Sequence, residues 1–297
     1  MDIVFASNTN YVEHLAVAIR SLLNSNSEEK FTIHIINGDI NEVTWNQLET
    51  IVANTGSRLV DVKISNEGLR GLVTPHHLTK ETYYRLFIPE TLQTSKALYL
   101  DADIVVNGPL RELYETNVDD FFLAAVETPG FIPHHDLRMS RQSKYFNAGV
   151  VLINIAMWRR ERVKERVIDV IRERPWAIQF ADQCGLNAVI DGRWKELHPK
   201  FNVQSYLYKE NIDDHSPFFP EGVLISALEN PVILHFSGSS KPWHFGYKHP
   251  YRSLYWGHLR KTPFRRWLSN DISFLKVMKW CVPGVIKNAI RKGGHRD

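Results

Sequence analysis

Cysteine is scarce in this chain. Its 297 residues include two, Cys184 and Cys281, too few for a disulfide framework or a four-thiolate zinc site. That scarcity points to a reducing compartment, and the expected location is cytoplasmic. Long apolar runs are missing too. No stretch reaches the roughly 18–20 residues needed to span a bilayer, and the longest candidate, Gly149 to Trp158, is interrupted by Asn154. No basic leader or cleavage site precedes the opening apolar segment Ile3-Val4-Phe5-Ala6, so no signal peptide is expected. There is no Gly-x-Gly-x-x-Gly, which removes the dinucleotide fingerprint. Internal repeats and low-complexity segments are absent. Net charge is only +3, too small to indicate a nucleic-acid partner.

What is present is ordinary in bulk. A hydrophobic content of 43% and a charged content of 23% are those of a folded globular protein. The length suits one large α/β domain, or one domain with an appendage. Charge is unevenly placed. From Pro263 onward there are eight bases against two acids, a surplus of six, so the preceding chain carries minus three.

Strand and helix patterns alternate from the N-terminus, which argues for a mostly parallel sheet. Asp2 to Ala6 reads as a buried strand, and Leu15, Ala18, Ile19 and Leu22 follow at helical spacing. The turn between them lies at the C-terminal end of a strand, where α/β sheets bind ligands. Asn8, Asn10 and the ring of Tyr11 there are suited to a base or ribose, or equally to an ordinary helix cap. Further strands are expected at Phe31–Ile36, Leu59–Val62, Phe121–Val126, Tyr145–Asn154 and Pro231–Phe236. Residues 128–144 read as a long loop, of the kind that forms lids or binding loops.

The run Ala97-Leu98-Tyr99-Leu100-Asp101-Ala102-Asp103-Ile104-Val105-Val106 is apolar except for two carboxylates. Read as one continuous strand, it puts Asp101 and Asp103 on the same face. Like charges there repel and resist desolvation, and a hard divalent cation removes the conflict. The plainer alternative is a strand end whose acids meet solvent or cap the next helix. Arg85, among aromatics, is either a surface ion pair or a clamp on phosphate or on those carboxylates. Asp182 and Gln183 fall in the first turn of a helix, where an acid is favoured and side chains also aim into a site. His235 ends a strand and precedes Ser237-Gly238-Ser239-Ser240-Lys241, a loop able to wrap a diphosphate. It is either a structural histidine or a nitrogen ligand that completes the carboxylate pair.

Six segments, in order, carry a resemblance: Ile3–Ala6 with Asn10-Tyr11, Thr82-Tyr83-Tyr84-Arg85-Leu86, Tyr99–Asp103, Phe146–Val150, Asp182-Gln183, and His235–Trp243. On these the chain resembles the retaining glycosyltransferases of family 8, especially the bacterial lipooligosaccharide α-galactosyltransferases. The resemblance spans roughly residues 1–250. It implies a GT-A, Rossmann-like α/β fold with a mixed, mostly parallel sheet over residues 1–260, followed by a basic tail, 261–297. It implies a UDP-hexose donor, galactose or glucose, a glycan or glycolipid acceptor, and manganese, with magnesium as substitute. The metal would be held by Asp101, Asp103 and His235. Donor nucleotide and sugar would meet Ala6, Asn8, Asn10, Tyr11, Arg85, Ala102, Asn147, Gly238 and Lys241, together with Asp182 and Gln183, the catalytic candidates. His77, Glu127, Phe180 and Ser237 match acceptor-side positions. Asn8 departs from the family, where an acid stands, and weakened base selection is expected. An inverting transferase, with Glu127 as base, and a non-catalytic nucleotide-sugar or carbohydrate-binding protein are the rivals.

In the tail, Phe264, Leu268, Ile272, Leu275, Met278 and Val282 recur at helical spacing among bases, up to Pro283-Gly284. This predicts an interfacial helix on anionic lipid at the inner face of the cytoplasmic membrane. The alternative is a helix packed on the body or on another subunit.

Overall fold

The computed structural model describes residues 1–65, 67–75, 78–128, 130–131, 134–208, 218–269 and 271. Ten strands run in chain order among them: β1 (Asp2–Ala6), β2 (Thr32–Asn37), β3 (Arg58–Lys63), β4 (Lys96–Leu100), β5 (Ile104–Val106), β6 (Leu123–Glu127), β7 (Phe146–Asn154), β8 (Lys195–Glu196), β9 (Val203–Gln204) and β10 (Ile233–His235). Seven form one sheet in the order β3-β2-β1-β4-β7-β6-β8, and three form a second, β5-β10-β9. In the large sheet only β7 is reversed: its pairings with β4 and β6 are antiparallel and the other four are parallel. A mixed, mostly parallel sheet is what the alternating pattern predicts.

Helices cover both faces of the large sheet, so its central strands β1, β4, β6 and β7 are largely apolar. Alternate residues face different cores. Ile3, Phe5, Leu98 and Leu100 pack with Leu15, Ile19 and Leu22 of the helix Val12–Ser25. Val4, Ala97 and Tyr99 lie in the other core, with Val167 and Ile171 of the helix Val163–Glu173 and Leu186 of the helix Ala181–Ile190. A third cluster joins Val105, Leu234 and Phe236 of the small-sheet region to Val17, Trp243 and the helix Arg252–Leu259.

Two sequence expectations need correction. The run Ala97–Val106 is not one strand. β4 stops at Leu100 and β5 starts at Ile104, because the chain leaves the large sheet for the small one at Asp101-Ala102-Asp103. The acids therefore occupy a bend between sheets rather than one face of a strand. The tail's predicted helix does not start at Phe264 either. Residues 263–266 are turn, and Phe264 and Trp267 pack against the third cluster. Residues 267–269 are not helical either; from Ile272 on, the predicted helix lies outside the described residues, as does Cys281. Cys184 is buried with a free thiol. Among the described residues no helix is long and apolar enough to cross a membrane.

Candidate active site

Backbone pairing fixes both acids although neither belongs to a strand. Asp101 N–H donates to Gly149 O at 2.8 Å, one residue beyond the Leu100–Val150 register of β4 and β7. Phe236 N–H donates to Asp103 O at 3.0 Å, extending the β5–β10 pairing in which His235 faces Ile104. Asp101 thus ends one sheet, Asp103 begins the other, and His235 arrives from β10. Ligand atoms of the three lie within 4.8 Å of one another. His235 Nε2 is 3.7 Å from Asp101 Oδ2 and 3.4 Å from Asp103 Oδ1.

The remaining oxygens are anchored. Asp101 Oδ1 accepts from Arg85 Nη2 at 3.1 Å and from the Tyr99 hydroxyl at 2.9 Å. Asp103 Oδ2 accepts from Lys241 Nζ, which also donates to Phe236 O at 2.9 Å. Each carboxylate thus has one oxygen held by a cation and one turned toward the imidazole. Burial alone would raise the Asp103 carboxyl, but Lys241 and then His235 hold it well below the ordinary carboxylate range. His235 is oriented from behind. Asn202 Nδ2 donates to Asn147 Oδ1 at 2.9 Å, so Asn202 Oδ1 is left to accept from His235 Nδ1–H, also at 2.9 Å. Fixed this way, the ring aims Nε2 at the carboxylates, the orientation that a partner on Nδ1 gives metal-binding histidines.

Gly149 makes the convergence possible. A Cβ there would stand 2.4 Å from His235 Cε1 and 2.6 Å from Asp101 Oδ2. Two carboxylate oxygens and one imidazole nitrogen, oriented and brought together over a glycine, fit a hard or borderline divalent cation. Adjacent ligands of an octahedral ion with bonds of about 2.1 Å lie about 3.0 Å apart, so small side-chain adjustments suffice.

The trio opens onto a cleft of about 620 Å³, within the usual range for small-ligand sites. Ala6, Asn8, Asn10 and Tyr11 line it where β1 ends. Asn8 Oδ1 accepts from Asn10 N–H at 3.0 Å, the capping arrangement. Tyr11 is set edge-on to His14 at 4.7 Å and to Trp243 at 5.5 Å. Ala102 and Asn147 also line the cleft, as do Ser237, Gly238 and Lys241. Gly238 has φ +83°, the left-handed conformation that glycine adopts without strain.

Arg85 is buried, with its guanidinium 4.3 Å from the Tyr99 ring centre. Besides Asp101 it reaches Asp182 Oδ2 at 2.8 Å and donates to Ala148 O. It is a clamp on carboxylates, not a surface pair. Asp182 is 1% exposed, and its Oδ1 accepts from the Thr82 hydroxyl at 2.6 Å. Burial pushes its carboxyl up to about 6 against the opposing pull of Arg85. Gln183 Oε1 accepts from Ala148 N–H at 2.9 Å. Asp182 and Gln183 both reach the cleft wall.

The acceptor-side positions divide. Phe180, 38% exposed, and Ser237 line the cleft. Glu127 ends β6 behind the rim, where its neighbour Thr128 is the lining residue. Its carboxylate is 3.0 Å from Lys144 Nζ, and burial raises it. His77 lies outside the described residues. Residue reasoning missed Gly149, Asn202, Thr82 and Gln204. The last lines the cleft, accepts from Asn147 Nδ2 at 3.0 Å and keeps a buried Nε2 without a partner among the described residues. No local signal marks Asn202 or Gln204, since their roles depend on residues far away in sequence.

The chain is 31% identical over 271 residues to general stress protein A of Bacillus subtilis, covering 88% of this chain and 94% of that protein. It is 28% identical over 254 residues to a lipopolysaccharide 1,3-galactosyltransferase of Salmonella typhimurium, covering 82% and 73%. Glycosyltransferase GlyD of Streptococcus pneumoniae is 32% identical over 267 residues, but these make up only 30% of that longer protein. The crystal structure of the galactosyltransferase LgtC with donor and acceptor sugar analogues superposes with a TM-score of 0.78 at 25% identity, covering 89% of this chain and 96% of that one. The two-sheet architecture is therefore the GT-A fold. The model of glycosyl transferase family 8 matches residues 2–246, a span that includes every strand, the acid pair, His235 and Lys241, and the chain belongs to that family.

Proposed function

We propose that this chain moves a hexosyl group, galactose or glucose, from a UDP-sugar to a hydroxyl of a glycan or glycoconjugate such as lipopolysaccharide, with retention at the anomeric carbon and with Mn²⁺ or Mg²⁺. The observation that carries this reading is the convergence of Asp101, Asp103 and His235 on the floor of a cleft at the strand ends. Those three side chains would hold the cation, which when bound offsets the negative charge that UDP gains on leaving. Gly238 and Lys241 face the diphosphate, Lys241 adding a positive charge close to Asp103. Asn8, Asn10 and Tyr11 take the nucleoside. Arg85 acts through Asp101, whose free oxygen it orients. Asn147, Asp182 and Gln183 shape the sugar pocket, and the unpartnered Gln204 Nε2 suits a sugar hydroxyl.

In the reaction the bond from the anomeric carbon to the β-phosphate oxygen breaks and one to the acceptor oxygen forms. The acceptor proton passes to a phosphate oxygen of the leaving UDP. A covalent glycosyl-enzyme would need a free carboxylate below the anomeric carbon. Asp182 has both oxygens engaged and Gln183 is an amide, which favours attack on the face the leaving group vacates. Glu127 is paired with Lys144 behind the cleft rim, which disfavours its use as an inverting base. His77, Glu127, Phe180 and Ser237 remain the acceptor-side assignment. Residues 1–260 form the catalytic unit in this reading, and the basic tail makes a peripheral contact with anionic lipid at the inner face of the cytoplasmic membrane.

Turnover of a UDP-sugar panel with Mn²⁺, with product anomers read by NMR, tests the proposal. One UDP-hexose is expected to react with retention. Asp101→Ala and Asp103→Ala are each expected to abolish metal-dependent transfer. Near-normal rates in either variant, or an inverted product, would overturn it. Vesicle co-sedimentation of the full chain against one ending at residue 269 tests the membrane contact.

A further inference from the structure

A second concavity, of about 460 Å³, is lined by Arg20, Arg260, Lys261 and Arg265 together with Thr50 and Thr262. It is separate from the cleft. Tyr11, at the start of the helix Val12–Ser25, lines the cleft, whereas Arg20 lies eight residues beyond Val12, about 12 Å along the axis. Three elements build it: that helix, the last turn of the helix Glu42–Val52, and the turns after the helix Arg252–Leu259.

Four cations around one small pocket repel one another, and a fold normally offsets this with acids. Here no acid lines the pocket, and none of the four has an ion-pair partner among the described residues. Among the described residues Arg20 Nε is buried with no acceptor, and buried donors are rarely left so. The helix-end carbonyls do not supply one. The field is felt nearby, since burial and then the charges of Lys261 and Arg20 lower the His258 imidazole.

We infer that this pocket is an anion site for a phosphate group, separate from the catalytic cleft. Guanidinium groups recognise phosphate through paired, charge-assisted hydrogen bonds, and Arg20 Nε supplies a donor already buried. Two hydroxyls, Thr50 and Thr262, are at hand for further oxygens. The phosphate belongs either to a lipid headgroup or to a soluble ion.

Two arms distinguish these sources. In one, the full-length chain is titrated calorimetrically with inorganic phosphate at low ionic strength and without divalent cation. In the other, it is sedimented with phosphatidylcholine vesicles containing phosphatidic acid. Wild type is compared with Arg20→Gln and with Arg265→Gln, whose exposed side chain leaves the fold intact. Each substitution is expected to weaken phosphate binding about tenfold. Loss in both arms, or in sedimentation alone, assigns a lipid phosphate; loss in titration alone assigns a soluble one. Arg266→Gln, a neighbouring exposed cation outside the pocket, and Asp101→Asn, in the cleft, are expected to bind phosphate as wild type does. No phosphate binding by wild type in either arm, unchanged binding in both pocket variants, or an equal loss in either control overturns the proposal.

Discussion

Gly149 is where one methyl group decides whether the trio can meet. Gly149→Ala puts a carbon 2.4 Å from His235 Cε1 and 2.6 Å from Asp101 Oδ2, so one ligand must swing away. The expected result is at least about tenfold weaker Mn²⁺ binding, as for loss of a supporting contact, with about 1–3 kcal/mol of overpacking cost. Manganese titration followed by electron paramagnetic resonance checks this, and wild-type affinity would refute the steric account. Asn202→Leu attacks the same ligand from behind. It removes the acceptor that fixes His235 Nδ1 and is expected to weaken Mn²⁺ about 10–100-fold while Asp101 and Asp103 stay in place. Both outcomes bear on what could be read in advance. Asp101 and Asp103 were legible because charge inside an apolar run is locally anomalous. Asn202 was not, because an asparagine among loop residues is ordinary until its partners, 55 and 33 residues away, are known.

The helix elements supply two contrasts between propensity and packing. Gly185 lies inside the helix Ala181–Ile190, where alanine would ordinarily add about 0.5–1 kcal/mol. A Cβ at that point would meet Val167 Cγ1 at 2.7 Å and Ile171 Cδ1 at 3.2 Å on the packed helix Val163–Glu173. Valine is stiff about χ1, so overpacking outweighs propensity, and Gly185→Ala is expected to lower the melting temperature. A rise would refute this. The helix Val12–Ser25 buries His14, which lies 2.6 Å from the Tyr255 hydroxyl and stacks on Trp243 at 3.5 Å. Burial lowers its imidazole from 6.5 to about 3. Between those values the unfolded chain binds a proton that the folded chain does not, so stability falls as pH drops through that window and is full above it. Replacing the pair with His14→Phe and Tyr255→Phe is expected to flatten the pH dependence of unfolding free energy between about pH 6 and pH 4, by up to about 1.4 kcal/mol per pH unit. Urea titrations across that range check it, and an unchanged slope would refute it. The element-level misreading has a clear cause. Apolar residues flank Asp101-Ala102-Asp103 on both sides, and nothing in their composition announces that the two flanks belong to different sheets.

At the scale of the whole molecule, the site lies on the seam between the seven-stranded and three-stranded sheets. Asp101 belongs to the first by its backbone bond to Gly149, and Asp103 and His235 belong to the second. The alternating pattern predicted the large sheet. The small one was out of reach, because its strands, β5, β9 and β10, are two or three residues each, and β5 pairs with β10 across 127–131 residues of sequence and β9 with β10 across 31. A cation held by all three ligands would cross-link the two sheets and bind only the folded chain. Such a ligand stabilises by about 2.7 kcal/mol at a hundredfold excess over its dissociation constant, a shift of several degrees for a chain of this size, on the order of 2–4 °C per kcal/mol. Mn²⁺ is therefore expected to raise the melting temperature of the wild type and EDTA to reverse the rise. His235→Ala, which leaves both carboxylates on their anchors, Arg85 and Lys241, is expected to lose most of the shift. An equal Mn²⁺ shift in His235→Ala would mean that His235 is not a ligand and that the two acids alone account for binding.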